Sequence, residues 1–195
     1  EVIYHKKNNI ASMADISSKY SRKVSEKLLE HLPYPIGTTQ ISGQTAGTQF
    51  EIITKEFLQD AFIYLEHIRP GKWTFSLHDD ISGFDQYRHL KELKELLEKN
   101  KSFKAALGEY VFSPDIIVAR RPVSDEEINK NTKMVDNLDF PKYSPIRAKN
   151  NSNLILHASI SCKWTIRTDR SQNAKTEGLN LIRNRKGQTP HIAVV

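Results

Sequence analysis

One cysteine, two methionines and two tryptophans are all that 195 residues contain of those types. A single thiol excludes a disulfide within these residues and fits a reducing compartment. No long apolar run and no signal-like start is present, so neither export nor membrane insertion is expected, and the expected location is the cytoplasm. Internal repeats and low-complexity tracts are missing too, so function has to be sought in local constellations. Charge, by contrast, is plentiful. The 29 Lys and Arg outnumber the 23 Asp and Glu for a formal charge of +6, which favours a polyanionic partner and leaves membrane surfaces and acidic proteins open. With 38% hydrophobic residues the chain can bury one sizeable core, so one main domain is expected. It opens on Glu1 and stops inside the apolar run HIAVV; residues 1–195 are therefore expected to be a piece of a longer protein, truncated at the C-terminus.

Residues 19–32 read as a short helix with Val24, Leu28, Leu29 and Leu32 on one face, closed by Pro33 and Pro35. After the loop PIGTTQISGQTAG, residues 48–68 place Phe50, Ile53, Phe57, Ala61, Phe62, Leu65 and Ile68 at helical spacings, with Pro70 and Gly71 as the stop. Residues 73–77 predict a strand, 84–99 a leucine-striped charged helix, and 111–119 a buried strand whose start Pro114 interrupts. Residues 121–153, rich in Pro, Asn, Asp and Lys, read as an excursion with one short helix capped by Ser124. In residues 154–165, Leu154, Leu156, Ala158, Ile160, Cys162 and Trp164 alternate with His157, Ser159, Ser161 and Lys163, the period of a strand. A helix capped by Thr168 or Asp169 is expected to run to Arg183 with Gly187 as its stop, and residues 191–195 form a last strand after Pro190. Strands alternating with helices predict an α/β or α+β domain, a mixed sheet flanked by helices.

The stretch SISCKWTIRTDR surrounds the lone cysteine with a lysine and two arginines. Alternation puts Cys162 among the apolar residues, where a small buried hydrophobe belongs, and points Lys163 to the opposite face. Between residues 163 and 186, seven basic side chains meet two acidic ones. That is either a solvated strand end with a basic helix face or a phosphate site, and a phosphate site requires carboxylates. Three candidates exist. Asp115 opens the apolar run IIVA, where an unpaired charge would be expensive, unless it occupies a surface turn. Glu177 lies fourteen residues after Lys163 in the second turn of the next helix, from which it could reach the strand end or simply face solvent. Glu51 stands three residues after Thr48, which is also the spacing of a capping box. Together, carboxylates on a strand and flanking helices around a lysine describe a phosphodiesterase that uses divalent metal.

At this point the motifs carry a family. SPDIIV (residues 113–118), SCK (161–163) and Glu177 resemble the variant PD-(D/E)xK motif of restriction enzymes that cut CCGG-containing sites, and within that group the type II endonucleases of the NgoMIV type. The likeness extends through LHASISCKWTIRTDRSQNAKTEGLNLIRNRKGQTPHI, GQTAGTQFE, HIRPGKW and SPDIIVAR, while residues 1–35 and 78–105 match only loosely. Where the ordinary motif has an acidic residue two positions before the lysine, this chain has Ser161; in the variant a carboxylate from the following helix replaces it, and Glu177 holds that place. The resemblance implies a restriction-endonuclease-like mixed sheet, with Asp115 and Glu177 as metal ligands, the backbone carbonyl of Cys162 completing the coordination, Lys163 as the catalytic lysine and Glu51 as an accessory carboxylate. It further implies that Arg167, Asp169 and Arg170 read inner CCGG bases and that Gln44 contributes to the outer pair, roles that suit arginine on guanine and aspartate on cytosine.

The same resemblance implies a single nuclease domain, two Mg2+ ions per active site, and cleavage of double-stranded GCCGGC after the first G to leave 5′ CCGG overhangs. It also implies a prokaryotic restriction-modification system with a cognate DNA methyltransferase, and a homodimer at least, with a homotetramer engaging two sites. Two other readings stay open: a sequence-specific DNA-binding protein without hydrolysis, and a related nuclease with a structural DNA target.

Overall fold

The computed structural model describes residues 3, 5–6, 10–33, 35–37, 39–68, 71–99, 113–136, 142–165 and 167–195. The expected strand start at Val111 and the expected helix stop at Pro70 lie outside them. A four-stranded sheet organises the rest. In chain order the elements are a small antiparallel pair, β1 (His5–Lys6) and β2 (Ile10–Ala11), then α1 (Lys19–His31), α2 (Gly43–Tyr64), β3 (Lys72–Leu77) and α3 (His89–Lys99). They continue with β4 (Ile116–Arg121), α4 (Asp125–Ile128), β5 (Ile155–Ser161), α5 (Thr168–Asn184) and β6 (His191–Val194).

The sheet order is β3-β4-β5-β6. Its first two interfaces are antiparallel and the last is parallel, so the chain must cross from the end of β5 to the start of β6, and α5 is that crossover. Both faces are covered. On one, Ile117, Ala119 and Leu156 pack with Ile81, Phe84, Tyr87, Leu90 and Leu181. On the other, Ile116, Val118, Ile160 and Cys162 pack against Phe50, Leu58 and Phe62 of α2. This is the α+β arrangement, a mixed sheet flanked by helices, that the sequence predicts. Two buried polar side chains on the first face are satisfied: Gln86 bonds both the N–H and the carbonyl of Leu156, at 2.9 and 2.8 Å, and the Tyr87 hydroxyl donates to the Leu181 carbonyl at 2.9 Å.

Four local expectations are corrected. Helix α2 begins five residues early, at Gly43, because Ser42 caps it by accepting from the Thr45 N–H at 3.0 Å. Residues 84–88 do not join α3; they belong to short 3-10 turns, Ile81–Gly83 and Asp85–Tyr87, and their flanks before it. In β5 the simple alternation breaks: Val118 pairs with Ala158 but Ala119 with Leu156, a bulge that places an extra residue on β5. Leu156 therefore belongs to one core cluster and Ile160 to the other, although they are an even four positions apart. Finally, α1 turns its predicted apolar face outward. Val24 and Leu28 are about half exposed, while Ser21 and Ser25 are buried, small side chains that let the helix lie close to β2.

The excursion after β4 is held by Arg147, only 1% exposed. Its guanidinium makes paired hydrogen bonds with the Asp125 carboxylate and a third with the Asp136 carbonyl. The Arg147 bond, helped by Lys149, holds the Asp125 carboxyl down at about 2. A folded value below the ordinary one means that the pair stabilises the fold above the usual carboxylate range and that this contribution fades as pH falls from about 4 toward about 2. Thermal midpoints against pH should therefore fall through that window, and Asp125→Asn should begin lower at neutral pH and lose this part of the acid dependence. Equal midpoints for the two proteins at neutral pH would contradict it. Among the described residues, no helix is long and apolar enough to cross a membrane.

Candidate active site

At the end of the sheet where β4 begins and β5 stops, three of the predicted residues meet. Asp115 stands one position before β4, in a turn rather than inside the buried strand, with its side chain 20% exposed. It is not left unpaired. Its Oδ2 accepts from the Lys163 ammonium at 2.7 Å and from the Cys162 backbone N–H at 2.7 Å, and lies 3.4 Å from the Ser161 hydroxyl. The same hydroxyl lies 3.2 Å from Glu177 Oε2. Two carboxylates thus converge on one serine, the residue that stands where the ordinary motif carries an acid.

Backbone pairing fixes this corner. Past the formal end of β5 the parallel ladder continues, with the Lys163 N–H donating to the Val195 carbonyl at 2.7 Å and the Val195 N–H to the Ser161 carbonyl at 3.0 Å. Cys162 and Lys163 therefore keep strand geometry, and their side chains part. Glu177 arrives from the third turn of α5, not from the second as expected. Close approach of α5 to β6 helps bring it there: a Cβ added at Gly178 would sit 3.2 Å from the Ile192 Cγ2.

Cys162 is a packing residue. It is 7% exposed within the cluster under α2, and burial pushes its thiol up to about 12, with the Asp115 and Glu51 charges adding to the rise against Lys163 and a Thr54 hydrogen bond. A thiol so raised has almost no thiolate at ordinary pH. We expect alkylation at mildly basic pH to be on the order of 100-fold slower in the folded protein than in denaturant; comparable rates would contradict the assignment.

Glu51 reaches the same neighbourhood from α2. The capping-box alternative is excluded, since the helix begins at Gly43 and Glu51 lies well inside it. Its Oε2 is bonded instead to His78 Nε2 at 3.0 Å, with the Glu51 side chain 16% exposed and the imidazole 55%. Nothing in the sequence singles out His78. It follows a strand whose pattern carries no hint of a partner on a distant helix.

The candidate base readers lie along two helix starts. Arg167 holds the N-cap position of α5 without a side-chain cap, correcting the expectation that Thr168 or Asp169 would cap it. Asp169 and Arg170 occupy the first turn, and Asp169 Oδ1 is 3.2 Å from Arg167 Nε, both side chains being largely exposed. Gln44 is exposed in the first turn of α2, not in a loop. Phe50 of α2 packs on Trp164 with ring centroids 5.4 Å apart, so α2 braces the segment that leads from Lys163 into α5.

Among the described residues, no group of three His, Cys, Asp or Glu side chains has a metal-holding arrangement. The donors that do meet are hard oxygens, the two carboxylates gathered on Ser161. A small divalent cation that retains most of its waters needs no more than one or two carboxylates from the protein, so these residues fit one.

Comparison with known proteins joins this corner to the rest of the chain. The chain is 44% identical over 210 residues to the type II restriction enzyme NgoMIV of Neisseria gonorrhoeae, in an alignment covering 99% of this chain and 73% of that protein. A family model described as NgoMIV restriction enzyme matches residues 1–195. Whole-length agreement of that kind, over a chain whose carboxylates and lysine gather at one sheet end, places this protein in the NgoMIV restriction enzyme family.

Proposed function

We propose that the protein is a Mg2+-dependent type II restriction endonuclease that hydrolyses double-stranded DNA at GCCGGC, after the first G of each strand, leaving 5′ CCGG overhangs. The observation that supports it most is the meeting of Asp115, Lys163 and Glu177 around Ser161. Asp115, Glu177 and the Cys162 carbonyl would hold the metal, two ions per site when DNA is bound. A bound divalent cation polarises the scissile phosphate and lowers the pKa of a water. Lys163, on the rim beside Asp115, donates a hydrogen bond to the attacking water or the phosphate and offsets the negative charge that grows as the bond breaks. Glu51, on the α2 side, orients a water at the same corner.

Arg167 and Arg170 would present guanidinium forks to guanine O6 and N7 while Asp169 accepts from cytosine N4 and Gln44 contributes at the outer pair. The exposed Arg167–Asp169 pair opens readily, because solvent-exposed ion pairs contribute only about 0–1 kcal/mol. Cutting both strands of a palindrome requires two such sites related by a dyad, hence a homodimer, and a homotetramer when two DNA sites are engaged. A cognate methyltransferase would protect host DNA.

The test is cleavage by the intact protein of plasmids with and without GCCGGC, and of plasmids with other CCGG-containing hexamers, in Mg2+ or EDTA. Linearisation at GCCGGC only, and only with Mg2+, is the expected result. Tight specific binding with no cutting in Mg2+ would overturn the enzyme assignment in favour of a DNA-binding protein.

A further inference from the structure

We infer that His78 is a positioning residue of the same site, a clasp that sets the Glu51 carboxylate relative to Asp115; this rests on the proposed nuclease reading. Three observations converge. His78 is the one non-glycine residue with positive φ, 57°, among the described residues. A left-handed conformation is unfavourable for a residue with a side chain and persists where surrounding contacts over-determine it. The contacts are present: its N–H is shared between the carbonyls of Pro114 and Asp115, at 3.2 and 3.4 Å, and its ring Nε2 meets Glu51 Oε2 at 3.0 Å across 27 positions of sequence. Against a carboxylate acceptor, that nitrogen carries the proton.

The location explains why one residue makes both connections. The last rung between β3 and β4 is Leu77 with Ile116, so His78 and Asp115 are the next residues out on each strand. A chain continuing in extended geometry would carry its side chain along the sheet end; the left-handed turn of His78 instead keeps its main chain on the Asp115 turn while its imidazole reaches α2. The ring is 55% exposed and the carboxylate beneath it 16% exposed, so the imidazole partly shields Glu51 from solvent and restricts its rotamers. A group that fixes an active-site carboxylate through a hydrogen bond typically affects activity by about 10- to 100-fold without touching substrate.

Two substitutions separate this role from a structural one. Glycine suits φ of 57° better than histidine does, so His78→Gly removes the clasp without straining the backbone, and glutamine has the length and the N–H to replace it. In single-turnover cleavage of a GCCGGC duplex, His78→Gly is expected to lower the rate constant by about 10- to 100-fold, with the dissociation constant for the duplex within about two-fold of wild type and thermal stability held. His78→Gln should recover most of the rate. A wild-type rate for His78→Gly overturns the inference, as does a loss that appears wholly in DNA affinity or that glutamine does not recover. Lys163→Ala, measured alongside, keeps the two readings apart: if it too cuts normally, the proposed active site itself is wrong, whereas an inert Lys163→Ala beside a fully active His78→Gly removes only the clasp.

Discussion

Replacing Lys163 with alanine is expected to slow cleavage of GCCGGC by about 10³-fold or more while leaving specific DNA binding within about two-fold of wild type. The magnitude rests on what the ammonium does there. It is a preorganised cation at a corner that otherwise presents carboxylates, 2.7 Å from Asp115 Oδ2 and 20% exposed, where it can meet a phosphate or water oxygen. Removing it withdraws both a proton-bearing hydrogen-bond donor and a charge from the proposed reacting centre. The fold should tolerate the change. Asp115 retains the Cys162 N–H at 2.7 Å, and the Lys163 main chain stays anchored to Val195. Lys163→Met, which keeps most of the side chain's volume, should be equally inactive. Quench-flow or gel-based single-turnover rates, with duplex affinity measured by fluorescence anisotropy, check both halves. Cleavage within about ten-fold of wild type in either variant would remove Lys163 from the chemistry.

Arg170→Ala should act on the other half of the proposed function. Arg170 lies in the first turn of α5, partly exposed, at a helix start of the kind that enters the major groove. Loss of one bidentate contact to guanine is expected to reduce discrimination between GCCGGC and singly substituted sites by about 1 to 3 kcal/mol, or about 5- to 150-fold. The effect should concentrate at one base position, with non-specific affinity and its salt dependence changing far less, because a phosphate contact would weaken all sequences alike. A variant that discriminates GCCGGC as well as wild type would exclude Arg170 from readout. Arg167→Ala provides a contrast, since Arg167 is already paired with Asp169 and its removal also frees that carboxylate.

Local order in this protein is largely legible in its sequence. Period-two and helical spacings locate β3, β5, α1 and α5 to within a few residues, because the period with which side chains change direction is set by the local backbone geometry. The cap at Ser124 is visible for the same reason, and Ser124 does accept from the Glu127 N–H, at 3.3 Å. Boundaries are lost where two local signals compete. Ser42 and Thr48 are both acceptable helix caps, and the packing of Ala46, fully buried, favours the longer helix that starts after Ser42.

Sidedness is a different matter. Alternation along residues 154–165 says that side chains alternate, but not that an extra β5 residue opposite Val118 and Ala119 shifts the phase midway, because a bulge is defined only by the pairing of β5 with β4. Nor does a helix's apolar stripe say whether it faces inward: Val24 and Leu28 of α1 face out while two serines face in. That choice depends on which surfaces the rest of the chain offers.

The class of molecule is written in the order of its residues: a basic α+β protein with one inert thiol and with the motif residues Asp115, Lys163 and Glu177 at a family's spacing. Three features of the corner arise only in the assembled fold, namely that Ser161 gathers Asp115 and Glu177, that Glu51 serves no helix cap, and that His78 ties α2 to the turn before β4. The reason is physical. Periodicity and motif spacing are recorded between near neighbours in the chain, whereas a hydrogen bond such as that between Glu51 and His78, 27 residues apart, exists only once the sheet has brought β3, β4 and α2 to the same corner.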